Sequence, residues 1–172
     1  MNETVKPPKY AYFAYKTEGR ARMLGMLSSL SVLSVVLIFA VSLAVITLTD
    51  VIVGIGFALI NALSFLILTL ARKLINARRP YELYDVSELS SSLTARRGGL
   101  SFPSRHVFSA FLIGSILMWT SWPLGCIVIL LGVIIAVCRV LLLIHFVRDV
   151  LAGALIGIIS GTVGAFALLL LI

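Results

Sequence analysis

The feature that most limits the fold of this chain is a set of long stretches without a single charged residue or histidine. They cover residues 23–49, 51–71, 107–138 and 150–172. A helix needs about 20 apolar residues to cross a bilayer, so the first, second and last stretches each predict one transmembrane helix. Of the 172 residues, 60% are hydrophobic and only 12% are charged, too few to cover a water-facing surface. This composition excludes a cytosolic enzyme, a disordered chain and a disulfide scaffold.

The stretch at residues 107–138 is long for one span and short for two. Residues 120–125, Thr-Ser-Trp-Pro-Leu-Gly, interrupt it, and we expect helices at about 103–121 and 124–142. The tryptophans beside this break suit a membrane interface. The sequence therefore predicts an all-α, polytopic transmembrane helical bundle of about five spans.

Charged residues are confined to a few segments. Residues 1–22 carry five of the fourteen Lys and Arg residues and predict a basic segment that lies on the membrane surface. The transmembrane domain is predicted over residues 23–172, with a polar surface loop at 72–103. Both cysteines, Cys126 and Cys138, lie in apolar sequence and are interpreted as small hydrophobic side chains rather than a disulfide.

Ionisable residues occur beside the spans in three clusters. These are Arg72-x6-Arg79-Pro80, Phe102-Pro103-Ser104-Arg105-His106 and Arg139-x5-His145-x3-Asp149. Counting spans from either terminus places all three on the same side of the membrane, and both histidines of the chain belong to them. Because ionisable groups at membrane depth are costly and usually functional, we expect one shared site.

The residue types in these clusters suit a phosphate with two negative charges. Arginine donates paired N–H bonds to phosphate oxygens. Pro103 suits the first position of a helix whose free amides, from Ser104 to His106, would attract an anion. Asp149, four residues after His145, is expected to share a helix face with it and to hold its Nδ1 proton. Two histidines within an excess of positive charge do not suit a divalent metal.

In order and spacing, the three clusters resemble the motifs of the type 2 phosphatidic acid phosphatase family of integral-membrane lipid phosphatases. The family pattern is Lys-x6-Arg-Pro, Pro-Ser-Gly-His and Ser-Arg-x5-His-x3-Asp, and the resemblance covers about residues 50–172. It implies that His145 forms a phosphohistidine, that Asp149 orients it, and that His106 protonates the leaving group and then activates water. The resemblance also implies a set of phosphate-binding groups: Arg72, Arg79, Ser104, Arg139 and the backbone amide of Arg105.

Three positions depart from the family pattern. Arg72 stands in place of lysine, which keeps the charge, and the adjacent Lys73 is an alternative. Arg105 replaces glycine and adds a bulky cation, whereas Cys138 replaces serine and loses a hydrogen-bond donor beside Arg139. None of these changes removes a catalytic group, so activity is expected, while substrate preference and rate stay open.

The resemblance implies a metal-independent, cofactor-independent phosphatase of the cell membrane whose lipid substrate arrives from the bilayer. Polyprenyl diphosphate, phosphatidate, phosphatidylglycerol phosphate and a polyprenyl-phosphosugar phosphate are all compatible. The alternatives are a non-catalytic lipid-phosphate-binding scaffold, a small transporter or channel subunit and, ranked last, a vanadium haloperoxidase. We expect membrane lipids and no nucleic acid as partners, and a homo-oligomer stays open.

Every Lys and Arg residue falls on one predicted side of the membrane. With five spans the N-terminus lies on that side, and the opposite connections, near Asp50 and Trp122, carry none. The positive-inside rule favours the cytosol for the basic side. The usual family member has six spans, so this chain is expected to lack the first, and bacterial relatives usually face the site outward. The orientation therefore stays open.

Overall fold

The computed structural model describes residues 6–85 and 98–170, and within these ranges the chain is helical without a strand. Its seven described helices are α1 (Lys9–Tyr15), α2 (Glu18–Thr49), α3 (Val51–Ile75), α4 (Pro80–Leu83), α5 (Arg105–Thr120), α6 (Trp122–Leu141) and α7 (Val147–Leu169). By length and composition, α2, α3, α6 and α7 can each cross a membrane. With α5 among them, the predicted all-α bundle of about five spans is confirmed.

Helix α5 lies at the centre of the bundle. Ten of its sixteen residues are buried, as expected for a helix that is apolar on every side. At about 1.5 Å per residue it is roughly 24 Å long, somewhat short of the bilayer core. Helices α6 and α7 make the most extensive contacts with it, so the other spans surround α5 and separate it from lipid.

Helix α7 approaches α5 along a row of glycines, Gly153, Gly157 and Gly161. A Cβ atom at any of these positions would lie 2.6 Å from a backbone carbonyl oxygen of α5 or of its N-cap residue. The spacing predicts close helix contact of this kind, and the contact is within the chain. Since the first of these oxygens belongs to Ser104, the N-terminal ends of α5 and α7 lie side by side.

The start of α5 differs from the sequence prediction. The helix begins at Arg105 with Ser104 as its N-cap, so Pro103 precedes the helix and does not occupy its first position. The amide of Ser104, expected to be free for an anion, donates to the carbonyl oxygen of Asp149 at 2.9 Å. The amides that remain free for an anion are therefore those after Ser104, in the first turn of α5, because they have no partner within the helix.

The start of α7 also differs. It begins at Val147 and includes Asp149 in its first turn, where the carboxylate accepts the Phe146 amide at 3.0 Å. An acidic side chain at this position stabilises a helix start, which explains the earlier beginning. His145 therefore lies outside the helix, and the prediction that His145 and Asp149 share a helix face is wrong.

The polar loop predicted over residues 72–103 begins later than expected. Helix α3 continues to Ile75 and ends at Asn76, whose φ of 41° is left-handed. Cations in the last helical turn interact favourably with the helix dipole, so Arg72 and Lys73 extend α3. Residues 86–97, in the middle of the predicted loop, lie outside the described part of the chain.

Within the N-terminal segment predicted over residues 1–22, the described residues from 6 onward form α1 and the first turn of α2. Ala11 and Ala14 of α1 are fully buried, and the Tyr15 hydroxyl donates to the Leu142 carbonyl at 3.2 Å. The segment therefore packs against the chain that follows α6. Its division from the transmembrane domain at residue 22 stays a prediction.

Candidate active site

The three predicted clusters meet at one end of the bundle. Each lies where a helix starts or stops: Arg72 in the last turn of α3, Arg79 before α4, His106 in the first turn of α5, Arg139 in the last turn of α6, and His145 and Asp149 around the start of α7. Arg72 donates to the Pro103 carbonyl oxygen, and the Ser104 amide donates to the Asp149 carbonyl oxygen at 2.9 Å. These hydrogen bonds join residues from distant parts of the sequence into one site.

His145 and Asp149 form a buried pair. The His145 Nδ1 atom lies 3.6 Å from Asp149 Oδ2, and the two residues are 2% and 0% exposed. The backbone holds His145 in place, because its amide donates to the Arg139 carbonyl at 3.2 Å. Burial lowers the pKa of His145 below its usual value, because desolvation disfavours the charged imidazolium. A neutral imidazole next to a carboxylate is a competent nucleophile or base.

Ser101 is a residue of this site that the sequence analysis missed. It is fully buried, and its hydroxyl donates to Asp149 Oδ2 at 2.5 Å and lies 3.5 Å from His145 Nδ1. Its amide donates to the Ala77 carbonyl at 2.9 Å, which fixes the serine from the other side. The only sequence signal was its place immediately before the Phe-Pro-Ser-Arg-His cluster, where a serine has many structural explanations.

Ser104 is also fully buried in this region, between α5 and α7. Its hydroxyl makes no hydrogen bond to any described residue. A buried hydroxyl without a partner is unfavourable by about 1–3 kcal/mol, so such a group favours a ligand that can supply one. The position of Ser104 is consistent with the phosphate-binding role that the sequence resemblance implies.

Arg72 joins the end of α3 to the loop that precedes α5. Its two terminal nitrogens donate to the carbonyl oxygens of Leu100 and Pro103, and the residue is only 7% exposed. A guanidinium group has five N–H donors, so these two bonds leave others for a ligand. Lys73, by contrast, is exposed.

Arg79 holds the same loop nearer to α4. Its Nε donates to the Gly99 carbonyl at 2.9 Å. The Glu82 carboxylate accepts both the Arg79 amide at 2.8 Å and the Gly99 amide at 2.7 Å. Gly99 has a φ of 73°, a left-handed conformation that favours glycine. These bonds fix Arg79 at the edge of a cavity of about 420 Å³, which Arg139 also lines.

No three His, Cys, Asp or Glu side chains come together as a metal site within residues 6–85 and 98–170. The charged groups that do come together are mostly guanidinium groups, which bind anions rather than cations. The donor set is therefore suited to a phosphate.

Comparison with known proteins agrees with this geometry. The sequence profile of the PAP2 superfamily matches residues 54–168, which include all three clusters. This chain belongs to the PAP2 superfamily. The crystal structure of Aquifex aeolicus LpxE is similar to it, with a TM-score of 0.67 and 22% identity over 90% of this chain and 91% of that one. A likeness at this identity shows a shared fold. The comparison with curated protein sequences found no significant match.

Membership of the PAP2 superfamily, whose members are phosphatases, confirms the resemblance noted in the sequence. The structure shows the surroundings of the three residues that depart from the family motifs. Arg72, in place of lysine, binds the loop carbonyls described above. Arg105, in place of glycine, is exposed, and its guanidinium lies 5.3 Å from the centre of the Phe65 ring. Cys138, in place of serine, is buried as a free thiol.

Proposed function

We propose that this protein is a lipid phosphatase of the cell membrane that acts without a metal ion and through a phosphohistidine intermediate. The observation that carries the proposal is that the His145–Asp149 pair, the start of the helix that contains His106, and several arginines meet at one end of an apolar helical bundle. Family membership and four helices long enough to span a bilayer support it.

In the first step, Nε2 of neutral His145 attacks the phosphorus atom of the lipid phosphate. The P–O bond to the lipid breaks as the N–P bond forms, and His106 donates a proton to the departing oxygen. Arg79 and Arg139 line the adjacent cavity, where their charges neutralise the phosphate oxygens as the bond changes occur. The products of this step are the free lipid and a phosphorylated His145.

In the second step, His106 accepts a proton from water, and the resulting hydroxide attacks phosphorus. The N–P bond breaks, inorganic phosphate leaves, and His145 returns to its starting state. Asp149 holds the Nδ1 proton of His145 during both steps and stabilises the positive charge on the ring. Ser101 is a positioning residue in this scheme, because it acts on the reaction only through Asp149 and His145.

The substrate is a phosphomonoester or diphosphate carried by a lipid. Four classes remain compatible: polyprenyl diphosphate, phosphatidate, phosphatidylglycerol phosphate and polyprenyl-phosphosugar phosphate. The site lies at the end of the bundle, where a lipid headgroup would meet the membrane surface while its chains stay in the bilayer. This placement favours a membrane lipid over a soluble phosphate.

Phosphate release from a panel of these lipids by the purified protein in detergent tests the proposal. We expect wild-type protein to hydrolyse at least one lipid, and His145→Ala to lose essentially all of this activity because the attacking atom is gone. His106→Ala is expected to lose it as well. EDTA should have no effect, since no step uses a metal ion.

The matched control is Ser42→Ala, a buried residue of α2 that belongs to none of the three clusters. It should retain wild-type activity in the same preparation. Full activity in His145→Ala, or loss of activity with EDTA, would overturn the mechanism. Wild-type protein that binds these lipids but releases no phosphate from any of them would indicate the non-catalytic scaffold instead.

A further inference from the structure

One face of α2 borders the candidate active site, although α2 precedes the residues matched by the family profile. Its residues recur every three or four positions, the spacing of one helix face. In order from the membrane surface inward they are Gly25, Ser28, Ser29, Val32, Val35 and Val36, which line two cavities. The face is polar in its first turn and apolar beyond it.

The polar turn faces the cavity of about 420 Å³. Gly25, Ser28 and Ser29 form its α2 side, and Arg79 and Arg139 lie on the other. Ser28 is 3% exposed, and its hydroxyl makes no hydrogen bond within the described residues. Ser28 therefore lines the same cavity as Arg79 and Arg139, and it carries a buried hydroxyl that has no partner among the described residues.

Ser31 shows that a buried serine hydroxyl on α2 does not generally lack a hydrogen bond. It is equally buried at 3%, yet its hydroxyl donates to the Leu27 carbonyl of its own helix at 2.8 Å. Serines inside helices commonly satisfy themselves in this way. The absence of such a bond at Ser28 indicates a group that is available to a molecule in the cavity.

The apolar turns face a second cavity, a groove of about 320 Å³. Val32, Val35 and Val36 line it together with Phe65 of α3, and Arg105 and His106 of α5 contribute to the same lining. The groove thus joins the proposed acid of the reaction to the apolar surface between α2 and α3. A hydrocarbon chain in it would leave the phosphate next to His106.

We infer that this face of α2 is the specificity wall of the active site. Val32, Val35 and Val36 hold the hydrocarbon chain, and Ser28 hydrogen-bonds an oxygen-bearing group next to the scissile phosphate. The inference rests on the proposed phosphatase function and narrows its substrate. The preferred lipid carries a second oxygen group within a few bonds of the phosphate, as a glycerol ester, a sugar or a second phosphate does. A simple alkyl phosphate has none.

Phosphate release from three lipids tests the polar part of the wall. The substrates are phosphatidate, farnesyl diphosphate and hexadecyl phosphate, which offer a glycerol ester, a second phosphate and neither group. We expect Ser28→Ala to lower kcat/KM for phosphatidate, farnesyl diphosphate or both by about five-fold, the effect of one hydrogen bond. Activity on hexadecyl phosphate should stay within about two-fold of wild type.

Ser31→Ala is the matched control, because it removes an equally buried hydroxyl that is bonded within the helix. It should leave all three activities unchanged. A loss confined to phosphatidate identifies the glycerol ester as the partner of Ser28, and a loss confined to farnesyl diphosphate identifies the second phosphate. An equal loss on all three lipids, or no loss on any, overturns the inference. Failure of the wild type to hydrolyse any lipid phosphate would instead refute the proposed function.

The apolar part of the wall has its own test, which does not depend on Ser28. Val36→Trp would fill the groove, and we expect about a ten-fold lower kcat/KM for hexadecyl phosphate with butyl phosphate unaffected, because only the long chain needs the groove. Val41→Trp places the same side chain at a position of α2 with similar exposure, 63% against 53% for Val36, that lines neither cavity, and it should change neither activity. Equal effects of the two tryptophans would overturn the assignment of the groove.

Discussion

Helices α5 and α2 are both strongly apolar, but the fold uses them in opposite ways. Ten of the sixteen residues of α5 are buried, and the helix lies between its neighbours. Only four of the 32 residues of α2 are buried, three of them serines. Leucines and valines cover the rest of α2 and remain exposed, as suits contact with lipid.

This difference in burial indicates separate roles for the two helices at the site. His106 belongs to the buried helix α5, and the glycine row of α7 fixes the start of that helix against Asp149. Such packing tolerates little movement, as the proposed reaction requires, because His106 and His145 must hold fixed positions around one phosphate. Helix α2 has few buried residues, so we expect changes on the face that borders the cavities to disturb the packing of α5 and α7 less. The comparison predicts that changes at α5 and α7 affect folding and rate, whereas changes at α2 affect substrate choice.

The largest expected effect is at the contact between α5 and α7. In Gly157→Ala, the new Cβ would lie 2.6 Å from the Phe108 carbonyl oxygen, and a backbone atom cannot move aside cheaply. We expect a loss of about 3 kcal/mol of stability, measured by thermal unfolding in detergent. The same substitution in α2, Gly25→Ala, meets no atom within 4 Å and should be neutral or slightly stabilising. Equal destabilisation by the two would contradict the comparison.

The next effect in size concerns Ser101. Ser101→Ala removes the hydroxyl that donates to Asp149, and we expect kcat to fall about 10- to 100-fold because His145 loses its fixed orientation. Without this hydrogen bond, the Asp149 carboxylate stabilises the protonated form of His145 more strongly and raises the pKa of His145. The acid limb of the pH–rate profile should therefore move to higher pH. Ser115→Ala, a buried change further along α5, should leave the profile unchanged. A fall in stability with an unaltered profile would indicate a purely structural serine.

The pH dependence of the wild-type enzyme gives a smaller and more direct measure of the catalytic end. Burial lowers the pKa of His145, so the imidazole stays neutral at pH values where an exposed histidine, with a pKa of about 6.5, is half protonated. Activity should be retained as the pH falls to 6.5 and be lost only below it. An NMR titration of His145 separates this event from ionisation of the substrate. A midpoint above 6.5 would show that burial does not control this group.

The smallest effect is expected at Arg105, where the chain departs most from its family. Its exposed guanidinium lies over the Phe65 ring, and such a contact is worth about 1 kcal/mol or less at an exposed site. Arg105→Gly restores the family residue, and we expect kcat/KM to stay within about five-fold of wild type. A much larger loss would mean that the side chain binds substrate, and it would extend the specificity wall from α2 to the start of α5.

Much of this architecture follows from sequence alone. A bilayer imposes a fixed length on each apolar run, so uncharged stretches of known length determine the number of spans. The number of spans in turn places Arg72, His106 and His145 on the same side of the membrane. The motif spacing also predicts the family, because three separated patterns in order are specific even when single residues differ, as at Arg72 and Arg105.

The tertiary structure alone determined which residues these side chains contact. No local pattern distinguishes Ser101 or Ser28 from the other serines, because their roles depend on contacts with α7 and on the cavity beside Arg79 and Arg139. Nor does hydropathy separate the buried α5 from the lipid-facing α2, since lipid chains are as apolar as the interior of the bundle. The sequence could place each helix in the membrane. Only the packing of glycines against a facing backbone determined which helix became the core.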